Sequence, residues 1–461
     1  MKTPARDVLL GLGIVALIAV IAYTALLFVT EKNRAAKIAQ VKKPATIDAY
    51  EQILAKLRAE KAAAVPVLRL TTEEGATFTG FPEDWEDIIN GYDYLFSRVQ
   101  ARMSVLPAEM ADILRRKLDE RTETERSQLA EFFSANRDLI EEIRRMAERG
   151  APVYPLDFPG GLEMELPHLA QMRRCARLLR EDAIVKAAAG NKSEAVSDII
   201  AGMKLADALV PEPILISQIV RLTIYGIMHD AVQDAFGACD LPADLAGQLL
   251  RHIARADNRH GLADSYAGER HLGLMLFSDI RAGRGPTHAE ASPGEKVFFA
   301  LCASPLRRPM LNQDEATYAD IMNQIVSAAR LPYYEAAPQL DRIERDIENL
   351  PPIRAVSKVR LRALSRACRA QARHEARLDL MQMGLLLEQY KAQKGALPAT
   401  LDVIAADLGG SLPVDPFSGE GYHYQLLDGS FLLYSVGENL QDDGGVHDVK
   451  KGDIVWRGKE E

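Results

Sequence analysis

Aromatic residues and cysteine are both scarce in this sequence. Phe, Trp and Tyr make up only 6% of its 461 residues, and no CxxC pair occurs among its four cysteines, Cys175, Cys239, Cys302 and Cys368. Zinc ribbons and thioredoxin-like redox motifs therefore have no support. Two disulfides in an oxidising compartment and four buried thiols stay as alternatives, because four cysteines allow three pairings between which a sequence cannot choose.

Familiar catalytic signatures are absent as well. The chain has no GxxxxGK[ST], GxSxG, HExxH or HxxEH motif, so nucleotide-binding loops, serine hydrolases and zincins lack their usual signature. An excess of positive charge is also missing, because 56 Lys and Arg face 65 Asp and Glu, for a net charge of −9. A protein-wide basic field is therefore excluded, and no nucleic-acid partner is favoured.

One apolar run near the start is long enough to cross a membrane. Residues 8–29 read VLLGLGIVALIAVIAYTALLFV and hold no charge. A helix of this length extends about 33 Å, which matches a hydrocarbon core of about 30 Å. The run is too long for a cleaved secretory signal, whose apolar part has about 7 to 15 residues. The sequence therefore predicts an uncleaved single-pass anchor within residues 1–45, with the lipid bilayer as its partner.

The remainder of the chain has the periodicity of a mostly α-helical protein. We expect a helical stalk region over residues 46–150 and a helical bundle over 151–350, separated by the breaker-rich run APVYPLDFPGG at 151–161. Short connections between successive helices favour a bundle or a stack of helix hairpins. A last unit, residues 351–461, begins with a long predicted helix over 353–394.

The densest set of possible transition-metal ligands lies between residues 252 and 271. It consists of His252, Asp257, His260, Asp264, Glu269 and His271. Two of them, His260 and Asp264, share a helix face at a spacing of four residues. Surface or packing histidines are the simpler interpretation, and a metal-dependent hydrolase that uses the His260/His271 region is the alternative.

The final 67 residues, 395–461, differ in character from the rest. They contain 12 acidic and four basic residues, so their net charge of 4 − 12 = −8 accounts for nearly all of that of the chain. Two strand-like runs, 422–427 and 430–435, flank an Asp428-Gly429 pair. An Asp-Gly turn between alternating runs is typical of a β-hairpin.

From residue 386 onwards, short motifs follow one another in a distinctive order. They are LLEQY at 386–390, GALP at 395–398, LPVDPF at 412–417, YHY at 422–424, YSVG at 434–437, GG at 444–445 and DIVW at 453–456. In order and spacing they resemble the C-terminal part of the major pseudopilin of type II secretion systems. The resemblance covers residues 377–461 and implies a small α+β domain with a short antiparallel sheet. The whole chain is similar to membrane-anchored bacterial proteins with such a tail, which implies no activity.

In pseudopilins the closing loop binds one calcium ion, and the resemblance implies the same here. The ligands would come from Glu438, Asn439, Asp442, Asp443, Asp448 and Asp453. Calcium takes six to eight oxygen ligands, and it would relieve the repulsion between crowded carboxylates. Asn439 stands where the family has Asp, which lowers the ligand charge. A solvated acidic loop without calcium is the alternative.

No motif assigns a reaction, so the expected function is structural. We interpret the chain as a single-pass, membrane-anchored envelope scaffold or adaptor with the tail as docking module. One alternative is a component of a type II secretion or pilus-like apparatus, and the other is the metal-dependent hydrolase. Basic residues after the apolar run favour a cytoplasmic body by charge counting. The tail favours the extracytoplasmic, periplasmic side, and we expect the body there because long domains often translocate regardless of charge.

Overall fold

The computed structural model describes residues 4–41, 43–44, 47–48, 69–71, 77–79, 85–104, 106–116, 118–148, 156–236, 241–253, 261–284, 302, 304–362, 364, 366–408, 410–446 and 452–458. These residues are mostly helical, and a small three-stranded antiparallel sheet lies near the C-terminus. Both features were predicted from the sequence.

The helices divide into three successive groups. The first contains α1 (Pro4–Ile38), α2 (Trp85–Ser104), α3 (Ala108–Arg115), α4 (Glu123–Ala135) and α5 (Arg137–Glu148). The second contains α6 (Pro167–Ala188), α7 (Lys192–Asp207), α8 (Leu215–Phe236), α9 (Ala243–Ile253) and α10 (Gly261–Arg281). The third contains α11 (Arg308–Ala328), α12 (Tyr333–Glu348), α13 (Ala355–Leu361) and α14 (Arg366–Lys394).

The described structure also contains five short strands. The pair β1 (Arg69–Thr71) and β2 (Thr77–Thr79) is antiparallel and lies within the region predicted as a helical stalk, 46–150. The C-terminal sheet has the order β3 (His423–Leu426), β4 (Phe431–Ser435), β5 (Ile454–Arg457). β3 and β4 form the predicted hairpin, with Leu426 opposite Phe431. Gly429 takes a φ of 73° in its turn, a conformation that suits glycine.

The predicted anchor falls within α1. The side chains of residues 4–17, which include the first half of the apolar run, lie outside the described residues. Within the described part of the chain, no helix is long and apolar enough to cross a membrane.

Within the predicted stalk region, residues 108–148 contain three helices, α3, α4 and α5, and a capping box of Thr122 and Glu125 starts α4. The predicted helix 353–394 is divided between α13 and α14. Leu361 and Leu364, at the division, are both buried in the same cluster.

A single large hydrophobic core connects the helical body to the C-terminal sheet. It draws buried side chains from α2 to α9, from α14 and from the sheet; Leu179, Tyr225, Leu387 and Leu433 are examples. A second core is built from α10 to α13, with part of α8 and the start of α14. The sheet is therefore packed into the body rather than suspended from it.

Candidate functional sites: the closing loop and the stem of α1

The C-terminal sheet is fixed to the body through Trp456 of β5. The indole packs edge-on against His229 of α8, with 5.4 Å between the ring centroids. On its other side it covers Gly384 of α14, where an added methyl group would come within 3.0 Å of the ring. Because Gly384 has no side chain, α14 and the C-terminal sheet can approach closely, and a larger residue would not fit at this contact.

The LPVDPF motif forms a loop that is held by one buried carboxylate. Asp415 is fully buried and accepts hydrogen bonds from the backbone N–H of Phe417 at 2.9 Å and of Val436 at 3.1 Å. The Ser435 hydroxyl donates a third bond at 2.9 Å. Burial raises the pKa of Asp415, against these hydrogen bonds. The carboxylate thereby connects its own loop to the end of β4.

The closing loop, residues 437–453, is described for 437–446 and 452–453. Its centre is Asp453, which is fully buried. The Asp453 carboxylate accepts hydrogen bonds from the backbone N–H of Gly445 at 2.7 Å and of Asp443 at 3.4 Å. Burial raises the pKa of Asp453. The loop therefore wraps backbone donors around one acidic side chain.

The other predicted calcium ligands make separate contacts. Glu438 forms an ion pair with Arg373 of α14, and the Asn439 amide donates to Asp443 at 2.7 Å. Asp442 accepts from the Gly444 N–H at 2.9 Å and from the Tyr434 hydroxyl at 3.0 Å. These two bonds hold its pKa below the usual value, that of Gly444 most strongly.

Calcium binding to the closing loop stays a prediction. Among the described residues, no group of three or more His, Cys, Asp or Glu side chains is arranged to hold a metal ion. Asp448 lies outside the described residues. A calcium ion here would compete with the backbone N–H groups for the oxygens of Asp442 and Asp453.

The histidine-rich stretch makes structural contacts where it is described. His252 lies 3.2 Å from a carboxylate oxygen of Asp207. Glu269 accepts from the Leu215 N–H at 3.4 Å and pairs with Arg360 at 3.2 Å, and burial raises its pKa. The sequence-predicted Asp257 and His260 lie outside the described residues, whereas Asp264 and His271 lie in α10.

The described cysteines are free thiols. They are Cys175, Cys302 and Cys368. Burial raises the pKa of Cys175 to about 12 and that of Cys368 to about 11. These two thiols occupy hydrophobic cores, which supports the buried-thiol alternative for them. Cys239 lies outside the described residues.

The second feature of interest is the stem of α1, defined here as residues 18–38, which runs beside α11. Its less exposed side chains recur at spacings of four and three and form one seam, Tyr23, Leu27, Thr30, Arg34 and Lys37. The Tyr23 hydroxyl donates to the Pro305 carbonyl, next to the start of α11. Lys37 pairs with Asp320 at 2.8 Å. The two helices are therefore parallel, and α11 begins at the level of Tyr23.

The stem is apolar and exposed away from this seam. Between residues 18 and 29 the side chains of Ile18, Val20, Ile21, Leu26, Phe28 and Val29 are all exposed, Phe28 to 71%. A helix that exposes large apolar side chains on most of its circumference is typical of one covered by lipid or by another protein.

Charged residues begin directly after this apolar part. Glu31 pairs with Arg34, and Arg34 lies 3.6 Å from Glu315 of α11. Glu315 in turn pairs with Arg281 at the end of α10. The hydrogen bond from Arg34 lowers the pKa of Glu31, whereas burial raises that of Glu315. This charge cluster joins three helices at the boundary between the apolar and polar parts of α1.

A cavity of about 440 Å³ lies between α2, α3, α6 and α8. Arg174, Arg177 and Arg180 line it together with Glu181 and Asp230, so the lining has a net charge of 3 − 2 = +1. Arg180 pairs with Glu181 and with Asp234 outside the lining, and Arg174 donates to the neutral amide of Gln100.

The interpretation of the sequence missed two of these features. It included the LPVDPF motif only in the family resemblance, although an acid between two prolines is a signal for a side chain that bonds its own loop. It also missed the seam on α1, because that seam begins inside the apolar run, which has no visible periodicity, and continues past its end at Val29. Comparisons with protein families, with curated proteins and with solved structures found no match for this chain.

Proposed function

We propose that this protein is a single-pass, membrane-anchored scaffold or adaptor of the cell envelope, with its body on the extracytoplasmic side. The observation that carries the proposal is the stem of α1. Its residues 18–29 expose apolar side chains to the surroundings, and its seam side is attached to α11. An exposed apolar helix is costly in water and favourable in lipid.

The contacts of the body favour a scaffold over a flexible tether. The ion pairs of Arg34 and Lys37 connect the stem to α11, and α11 belongs to a core shared with α10, α12 and α13. The C-terminal sheet packs into the other core through Trp456. A partner bound at the sheet would therefore be held at a defined distance from the membrane.

The tail offers exposed apolar side chains to such a partner. Leu426 and Leu427 at the tip of the β3–β4 hairpin are about half exposed, and so are Leu440 and Val446 of the closing loop. Exposed leucines at a hairpin tip are suited to docking, although single exposed apolar residues also occur on ordinary surfaces.

The anchor is tested by alkaline extraction of membranes from cells that express the full chain. We expect the wild type to stay with the membrane pellet. Ile21→Arg places a charge within the apolar run, at a cost of about 2.5–3.5 kcal/mol for insertion at a helix centre, and should release a large fraction of the protein. Asn33→Arg, just beyond the run, is the matched control and should leave the protein in the pellet. Release of the wild type would refute the anchor.

The compartment and the partners are tested together by proximity labelling with a tag at the C-terminus. Labelled neighbours from the periplasmic side would support the proposed orientation, and cytoplasmic neighbours would refute it. Leu427→Lys, at the exposed hairpin tip, should remove the neighbours that dock on the sheet. Val359→Lys, at a position of α13 that is more exposed than Leu427 (73% against 46%), is the control and should remove none.

A second candidate is a component of a secretion or pilus-like apparatus. The observed order of α14, the Asp415 loop, a β-hairpin and a closing strand favours it, because the resemblance implies this order. This candidate predicts that pseudopilins or their membrane platform are among the labelled neighbours. Their absence would leave the general scaffold as the function.

A further inference from the structure

The start of α11 lies level with the apolar part of α1. Tyr23, whose hydroxyl bonds the Pro305 carbonyl, precedes the last apolar residue, Val29, by six positions. At about 1.5 Å per residue this places Tyr23 about 9 Å inside the end of the apolar run. Because a helical side chain leans toward the helix N-terminus, the Tyr23 hydroxyl and Pro305 lie at that depth or deeper.

The charge cluster gives the same register independently. Glu315 of α11 lies beside Arg34, just beyond the apolar run. Met310 precedes Glu315 by five residues, which corresponds to about 7 Å along the helix. The first turns of α11 therefore lie beside the apolar residues of α1, on the N-terminal side of the charge cluster.

The side chains at this level suit a lipid surface. Leu306 is 79% exposed and Met310 is 44% exposed. Both are apolar, and the register set by Tyr23 and Glu315 places them at the level of the apolar part of the stem. Arg307 between them is exposed, and its long side chain can direct the guanidinium toward lipid headgroups while its stem stays in the apolar layer.

We propose that residues 305–310 form a second membrane contact, in which Leu306 and Met310 enter the acyl layer beside α1 and Arg307 binds headgroup phosphates. This inference rests on the proposed membrane anchor. Apolar side chains of interfacial segments enter a bilayer by about 5–10 Å, a depth that matches the position set by Tyr23 and Glu315. Two contacts would fix the tilt of the body on the membrane, which a single helix cannot do.

The test places tryptophan at position 306 in the full chain, reconstituted in vesicles of phosphatidylcholine and phosphatidylglycerol. Emission is compared with and without lipids brominated on the acyl chains, and the wild-type signal of its two native tryptophans is subtracted. We expect the added emission of Leu306→Trp to be blue-shifted and to be lost with brominated lipid. Met310→Trp gives a second reading and should behave likewise.

Val359→Trp is the matched control, because Val359 is 73% exposed on α13 and should show unquenched, water-like emission. If the protein resists alkaline extraction from the vesicles but the tryptophan is quenched neither at position 306 nor at position 310, the second contact is overturned and the anchor is left intact. Alkaline release of the wild type itself overturns the anchor. Equal quenching at positions 306 and 359 also refutes the proposal, because the contact would not be local.

Discussion

The contact between Gly384 and Trp456 gives the sharpest test of how the C-terminal sheet is joined to the body. Gly384 lies in the interior of α14, and a methyl group there would come within 3.0 Å of the indole. At Gly247, in the interior of α9, the one neighbour outside the helix backbone that the described residues bring within 4 Å of such a methyl group is the Arg251 guanidinium, at an ordinary 3.4 Å. The same change, Gly to Ala, therefore meets a steric obstacle at Gly384 and, among the described residues, no such obstacle at Gly247.

The two substitutions should have opposite effects on stability. Ala is favoured over Gly in a helix interior by about 0.8–1 kcal/mol, so Gly247→Ala should raise the free energy of unfolding by up to that amount. At Gly384 the same gain is opposed by overpacking, which costs about 1–3 kcal/mol. The expected net effect of Gly384→Ala is a loss of up to about 2 kcal/mol.

A double-mutant cycle isolates the steric part. Trp456→Ala by itself should cost about 3–5 kcal/mol, because it empties a buried site between α14 and α8. In that background Gly384→Ala should become stabilising, with a coupling energy of about 1–3 kcal/mol. Gly247→Ala should have the same effect in both backgrounds.

The assay is urea unfolding of the full chain in mild detergent, followed by the helical circular dichroism signal. Stabilisation by Gly384→Ala in the wild-type background, equal to that by Gly247→Ala, would contradict the reasoning. It would mean that Trp456 of the sheet does not pack closely against α14 at Gly384. The tail would then be a separate module on a loose connection.

Three further predictions concern buried or acidic groups. Burial, reinforced by Arg221 and Arg377, lowers the pKa of His374 well below its ordinary value of 6.5. As the pH falls, the unfolded state therefore binds the proton first, and the wild type should lose about 1 kcal/mol of stability between pH 6.5 and 5.5. Urea titrations at several pH values should show that His374→Gln lacks this loss. If the stability of His374→Gln depends on pH as that of the wild type does, the prediction is refuted. Asp415→Ala should lower the free energy of unfolding by about 2–4 kcal/mol, because it leaves two buried backbone N–H groups and one hydroxyl without their acceptor. If the same urea assay shows a smaller loss of stability than an ordinary surface substitution causes, the proposed role of Asp415 in holding this loop is wrong. If calcium binds the closing loop, millimolar calcium should raise the melting temperature by mass action, and the double variant Asp442→Asn and Asp443→Asn should abolish the rise; no rise in the wild type, or an equal one with magnesium, would remove the site.

The sequence by itself determined the features that depend on short-range pattern. The period of the apolar residues indicated a mostly helical protein, and Asp428-Gly429 between two alternating runs located the β3–β4 hairpin. These signals are readable because backbone hydrogen bonding and side-chain spacing are local. The uncharged run that ends at Val29 is also a local feature of the sequence, and its role in a membrane stays a prediction.

Only the tertiary structure decided what depends on partners distant in the chain. The predicted helix 353–394 ends at Leu361 and starts again at Arg366, and no proline or glycine between these residues marks the division in the sequence. Gly384 is unremarkable in the sequence until Trp456, 72 positions later, is placed on it. The sequence shows that the closing loop is rich in acids, and only the fold shows which donors Asp442 and Asp453 accept hydrogen bonds from. The identity of a carboxylate does not determine its neighbours, because these come from distant parts of the chain, and calcium binding stays a prediction.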